Sequence, residues 1–215
     1  TGTNYPSAET DEGEVETGYE FEEIIWSLAW SGDASMMAVS IENDIFLLDP
    51  QSFEISGEAL TGHRLPVPTL QWGPHGQLAS GGVDKTIKIW NSESQQSIQS
   101  FRGHGGNIWG LSWNPEGTRL ISSSDDGAKL WDLRAKTHSS APPAHEMDRT
   151  ALAGDWAPDN RRLVFADANH DLVVWDIHLG AEVTRLAGHQ DLLRDIAWSP
   201  DGGRLASSSE LSLRI

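Results

Sequence analysis

The chain has 215 residues, 38% of them hydrophobic, and a formal net charge of −17 at pH 7. It contains no cysteine, which excludes a disulfide framework and thiolate metal sites, and no apolar run approaches the ~20 residues of a membrane span. With 32 Asp and Glu against 15 Lys and Arg, nucleic-acid binding through a basic face is disfavoured.

The acidity is concentrated at the start. Residues 1–63 hold 14 Asp and Glu and no Lys or Arg, and eight of those acids fall in the first 23 residues. So few apolar residues cannot bury enough surface to order a segment, and residues 1–20 are expected to form an acidic disordered tail or linker. From residue 21 the pattern changes to short apolar runs separated by turn residues, the mark of strands.

Repeat 1, about residues 21–61, is expected to pack through Ile25, Leu28, Trp30, Ile45 and Leu47 and ends on Leu48-Asp49. Repeat 2, about 62–102, opens on Gly62-His63, turns at Gly73-Pro74-His75-Gly76 and closes on Trp90-Asn91. Repeat 3, about 103–143, opens on Gly103-His104, turns at Asn114-Pro115-Glu116-Gly117 and closes on Trp131-Asp132. Its four runs are read at 108–113, 119–123, 128–131 and about 138–141. Repeat 4, about 144–187, opens on Ala144-His145, carries two extra residues before Trp156 and closes on Trp175-Asp176. Repeat 5, 188–215, opens on Gly188-His189, turns at Ser199-Pro200-Asp201-Gly202 and stops where its closing Trp is due. In the turns, Pro presets φ and Gly accepts φ > 0.

Two markers keep one register. Trp90, Trp131 and Trp175 are spaced by 41 and 44 residues, and His63, His104, His145 and His189 by 41, 41 and 44. A period of 40–45 is that of a four-stranded propeller blade. One such sheet cannot cover both its faces, so blades must lean on one another around an axis. Trp30, Trp72, Trp113, Trp156 and Trp198 recur at one place in the first strand and are expected to pack between blades.

Gly-His, an apolar strand ending in Trp, a Pro-x-Gly turn, a Ser-rich strand, an acidic turn and a closing Trp-Asp together resemble the WD-repeat (Trp-Asp repeat) family, over roughly residues 21–215. The resemblance implies an all-β, incomplete β-propeller of four-stranded antiparallel blades, with about 4.5 blades present, cut from a seven-bladed parent of about 290 residues. It also implies a buried network in each blade joining His, strand Ser, turn Asp and Trp. Repeat 2 supplies His63, Ser80, Asp84 and Trp90; repeat 3 supplies His104, Ser122, Trp131 and either Asp125 or Asp126. Repeat 4 offers His145 and Trp175 without the strand hydroxyl, and repeat 5 offers His189 and Ser207. Repeat 1 has no such set. Buried indole and imidazole N–H groups need acceptors, so these histidines read as structural and no metal or other cofactor is expected.

A partner surface is read on the upper rim, where Trp26, Trp109 and Arg194 share one place in the first strand, four residues before Trp30, Trp113 and Trp198. Arg64 and Arg149 lie on the loops leading in, and Trp and Arg are the usual interface anchors. His170-Asp171 and His178 lack a nucleophile with an activating context, and Ser123-Ser124-Asp125-Asp126-Gly127 matches only the start of an Asp-box. No Walker-type or zincin motif is present. The expected function is a non-enzymatic protein-interaction scaffold that binds other proteins or peptides. The rival is the sensor or autoinhibitory WD-repeat region of a signalling ATPase or kinase. No secretory leader or Asn-x-Ser/Thr acceptor is visible, so the expected location is cytoplasmic or nuclear. Closing the propeller is expected to need missing repeats or a second chain.

Overall fold

Short apolar runs closed by Pro- and Gly-bearing turns give, in the computed structural model, a succession of antiparallel meanders. The structure describes residues 3–9, 15–20, 23–52, 54–134, 145–148 and 153–215. Strands β1 (Thr3–Glu9) and β2 (Val15–Glu20), within the segment expected to be an acidic tail, pair with each other in a sheet of their own. Blade 1 contains β3 (Ile25–Trp30), β4 (Met37–Ile41) and β5 (Asp44–Leu48). Bridges Ile45–Leu60 and Leu48–Ile55 lay residues 55–60 along β5 where a fourth strand belongs. Blade 2 is β6 (Thr69–Trp72), β7 (Gln77–Gly81), β8 (Thr86–Asn91) and β9 (Gln96–Arg102). Blade 3 is β10 (Ile108–Trp113), β11 (Arg119–Ser124), β12 (Gly127–Asp132) and β13 (His145–Asp148). Blade 4 is β14 (Gly154–Trp156), β15 (Arg162–Ala166), β16 (Leu172–Asp176) and β17 (Ala181–Leu186). Blade 5 has three strands, β18 (Leu193–Trp198), β19 (Leu205–Ser209) and β20 (Leu213–Arg214). The fold is an incomplete all-β propeller.

One expectation on register is corrected. His145 does not open blade 4: it lies on β13, the outer strand of blade 3, where its backbone pairs with Leu130 of β12. The expected outer strand at 138–141 falls outside the described residues. The spacing of His145 from His104 kept the period by sequence alone, whereas strand pairing assigns residues 145–148 to the preceding sheet.

Each blade turns between its first two strands with the chain in the left-handed region, at Ala34 (φ 57°), His75 (61°), Gly117 (67°), Asn160 (58°) and Gly202 (69°). Glycine is required at 117 for a second reason. A Cβ there would stand 2.9 Å from the ring of Pro74 in the blade before, so adjacent turns can nest only without a side chain.

The core lies in the seams. Ala38, Ile45, Leu47 and Leu60 of blade 1 meet Val67, Leu70, Trp72, Leu78 and Trp90 of blade 2. Ile87, Ile89 and Phe101 of blade 2 meet Leu111, Trp113, Leu120 and Trp131 of blade 3. Ile121 and Leu130 meet Trp156, Leu163 and Phe165 at the next seam, and Val164 and Val174 meet Leu193 and Ile196 at the last. A fully buried side chain of this size contributes roughly 1.5–3 kcal/mol, so stability resides between blades rather than within them.

The first-strand tryptophans confirm this for Trp72, Trp113 and Trp156, all buried, and Trp198 is half-buried against the last seam. Trp30 departs from the expectation at 52% exposure, as do Ile25 and Leu28, because no described blade precedes β3. Ile45 and Leu47 are fully buried against blade 2.

Polar stitches reinforce the seams near the axis, where the first strands of successive blades adjoin. Trp72 Nε1 donates to Ala29 O at 2.9 Å, and Trp113 Nε1 donates to Gln71 O at 3.0 Å. At the later seams Asp155 substitutes: its Oδ1 accepts from Ser112 Oγ of blade 3 and its Oδ2 from Trp198 N of blade 5, both at 2.8 Å. One carboxylate thus holds three blades.

Candidate protein-interaction rim

Beneath the rim, blades 2 and 3 each bury a directed chain of hydrogen bonds. In blade 3, Trp131 Nε1 donates to Ser122 Oγ at 2.7 Å, His104 Nε2 lies 2.6 Å from the same oxygen, and His104 Nδ1 lies 2.5 Å from Asp126 Oδ1. In blade 2, Trp90 Nε1 donates to Ser80 Oγ at 2.8 Å, His63 Nε2 lies 2.8 Å from Ser80 Oγ, and His63 Nδ1 lies 3.1 Å from both Asp84 oxygens. The tautomer with its proton on Nδ1 satisfies every member: indole to hydroxyl, hydroxyl to imidazole, imidazole to carboxylate. Extended β7 and β11 aim the Ser inward, and the turns after them bring the Asp under the His loop.

The structure resolves the choice between the two acids of blade 3. Asp126 joins His104, while Asp125 accepts Trp109 Nε1 at 2.7 Å and Asn107 N at 3.0 Å. Burial opposes ionisation of Asp84 and Asp126, but hydrogen bonds outweigh it and hold both well below the usual carboxylate range. The donors are His63, Thr86 and Arg64 N for Asp84, and Gly105 N, His104 and Ser124 for Asp126. Each Asp thereby ties the incoming rim loop, through Arg64 N at 3.0 Å or Gly105 N at 2.7 Å, to the turn of its own blade.

Elsewhere the network is rebuilt. In blade 5, His189 Nε2 meets Ser207 Oγ at 2.8 Å, and its Nδ1 meets Ser212 Oγ at 2.9 Å in place of a carboxylate. Burial and the nearby Arg214 depress the pKa of His189. Ser212 was not singled out by the sequence because a Ser in a turn carries no mark of that role. In blade 4, buried Asp167 accepts Asn169 N and Asp171 N at 2.8 and 3.1 Å and is engaged by Arg185 from the outer strand, an ion pair the repeat pattern does not signal. Trp175 packs in part against the seam between blades 3 and 4.

On the rim itself, Trp26 is 39% exposed and Trp109 37% exposed, with Leu65 of the intervening loop at 48%. Arg64 is exposed. Arg194 is turned onto Glu210 of its own blade, and Arg149 lies outside the described residues. The loop carrying Leu65 is pinned on both sides of it, by Arg64 N to Asp84 Oδ2 at 3.0 Å and by Val67 N to Glu42 O at 2.9 Å. Such a loop presents its side chains without first losing conformational entropy. Among the described residues no group of three or more His, Asp or Glu is placed to hold a metal ion, and no helix is long and apolar enough to cross a membrane.

A family model described as WD domain, G-beta repeat, matches residues 56–91, 95–132 and 180–215. The chain is 25% identical over 193 residues to Protein FIZZY-RELATED 2 of Arabidopsis thaliana, covering 86% of this chain and 39% of that protein. It is 32% identical over 168 residues to Nuclear distribution protein PAC1 of Gibberella zeae, covering 71% of this chain and 36% of that protein. It therefore spans less than half the length of these relatives. Its fold matches a chain in the crystal structure of a Mitotic Checkpoint Complex with a TM-score of 0.77 and 23% identity, over 93% of this chain and 62% of that one.

Proposed function

We propose, from the premise that this chain belongs to the WD-repeat family, that it is a non-catalytic scaffold whose upper rim docks another protein or a peptide. One observation carries the reading: Trp26, Leu65 and Trp109 stand exposed on successive blades, on loops and strand ends that the hydrogen-bonded turns hold fixed. Large rigid side chains of this kind bury much area at little entropic cost and dominate binding energy where they occur. A relative found within a checkpoint assembly supports protein partners as the class. Fold alone does not name one.

Site-specific photo-crosslinking tests the reading. A photoreactive residue at Leu65 should capture a discrete protein from cell extract, and Trp26→Ala with Trp109→Ala should abolish the adduct. The same probe at Glu116, on the opposite rim, should not capture it. Equal capture from Glu116, or an adduct indifferent to both tryptophans, would count against the rim as the docking face.

A further inference from the structure

We propose that the rim over blades 1 to 3 takes an extended partner segment bearing a cationic side chain, with that cation seated on the Trp109 indole beside Asp125. The proposal rests on the scaffold reading above and specifies the chemistry of the partner.

The first observation is the state of Trp109. Its single polar group is already spent, donating to Asp125 Oδ1 at 2.7 Å, while 37% of the residue remains exposed. What is left for a partner is hydrocarbon and π face. A carboxylate on the indole N–H also pushes electron density into the ring, which strengthens the attraction for a cation over its face.

The second observation is that the chain shows what this position accepts. The second residue of the first strand and an acid sixteen positions on recur in three blades, as Trp26 and Glu42, Trp109 and Asp125, and Arg194 and Glu210, and the side chains meet in blades 3 and 5. The juxtaposition is set by the hairpin, since the start of the first strand lies beside the turn that follows the second. In blade 5 the guanidinium of Arg194 engages Glu210 directly. Blade 5 therefore fills with its own cation the place that blade 3 leaves to an open indole next to an acid.

The third is charge. Lys85 and Arg214 donate to backbone, at Gly105 O and Gly188 O, both at 2.6 Å, and keep their charge, while Arg194 is held by Glu210. Arg64, Lys88 and Arg102 lie near one another on blade 2, and Asp171 is held by Arg185, so the acids that favour a cation are local: Glu23 and Glu42 of blade 1 and Asp125 of blade 3. Blade 1 contributes no Lys or Arg at all. That local negative charge beside the indole favours a cationic side chain there. Exposed Leu65, between the two tryptophans, supplies an apolar contact for an alternate side chain.

The test is fluorescence anisotropy with the whole 215-residue chain and three labelled, blocked peptides. One alternates Arg, Leu and Gly; the others replace every Arg by Gln or by Glu. The Arg peptide should bind tightest, and its affinity should fall as salt is raised, since the contact is exposed to screening. Trp109→Ala should weaken it by at least about tenfold, as for a buried interface anchor. Trp109→Phe keeps a π face but offers Asp125 no N–H, and should lose less. Asp125→Asn can still accept from the indole through its carbonyl oxygen, yet should weaken the Arg peptide and flatten its salt dependence while leaving the Gln peptide unchanged. The Phe and Asn variants keep the question decidable if Trp109→Ala fails to fold. Tight binding of the Glu peptide, lost in Trp109→Ala, would overturn the cationic assignment and leave the scaffold reading intact. Arg-peptide binding indifferent to Trp109, or no binding of any peptide, would overturn Trp109 as the seat. The crosslinking experiment at Leu65 decides the scaffold reading separately.

Discussion

Removing one oxygen atom, in Ser122→Ala, should destabilise the chain far more than its volume suggests. Ser122 is fully buried, and its Oγ accepts from Trp131 Nε1 at 2.7 Å and meets His104 Nε2 at 2.6 Å. Trp131 is 1% exposed and His104 7% exposed, so water cannot replace the lost partner. Two buried polar groups would be left unsatisfied at about 1–3 kcal/mol each, giving an expected loss of about 2–6 kcal/mol. Trp131→Phe removes the indole donor and leaves the hydroxyl free to serve His104. The double variant then has one orphan fewer than the sum of the singles implies, and should show a coupling of about 1–2 kcal/mol. Urea unfolding followed by circular dichroism reads both quantities. The slope must be compared as well as the midpoint, because repeat arrays unfold in parts. A loss in Ser122→Ala below about 0.5 kcal/mol, or strict additivity of the pair, would refute the network as an energetic unit.

Trp131→Ala, which empties a seam as well as breaking the chain of bonds, should cost about 3–5 kcal/mol in the same assay. Gly82→Ala would place a Cβ 2.7 Å from His63 Nδ1 and 2.5 Å from Asp84 Oδ1; prising that pair apart should cost about 1–3 kcal/mol, visible as a lowered melting temperature. Asp155→Ala removes both acceptors, so Ser112 Oγ and Trp198 N both lose this partner, at about 1–3 kcal/mol, measured by denaturant midpoint. Asp84 and Asp126 are more acidic folded than unfolded. Their stabilisation is complete above the unfolded value near ~4 and is lost as pH falls below it toward the lowered folded values. Asn at both positions should flatten stability against pH in that acid range. His189 is depressed in the fold, so the unfolded chain takes up its proton first. Stability present above about pH 6.5 should fall as pH drops below that value, and His189→Gln should remove this slope.

Much of the blade was legible in the sequence because its signals are local. Asn114 to Gly117 specify a turn through φ alone, and Gly117 adopts the expected left-handed conformation. His104, Ser122 and Trp131 were nameable together because a repeat of fixed length returns equivalent positions to equivalent places. His145 shows the limit: periodicity put it at the start of a blade, and strand pairing put it at the edge of the one before. The choice between Asp125 and Asp126 was likewise open until the turn was seen, since neighbouring residues differ only in which way they point.

Period, turn chemistry and alternation are properties of a few consecutive residues, and they determined by themselves that this chain builds antiparallel blades and where each begins to turn. Which side chains meet across a seam was decided only by the tertiary structure. Ser112 with Asp155, Asp155 with Trp198, and Arg185 with Asp167 depend on distances between sheets. The exposure of Trp30 beside the burial of Trp72, Trp113 and Trp156 follows from the same cause. One residue type at one register position is core or surface according to whether another blade lies against it, and no local pattern encodes that neighbour.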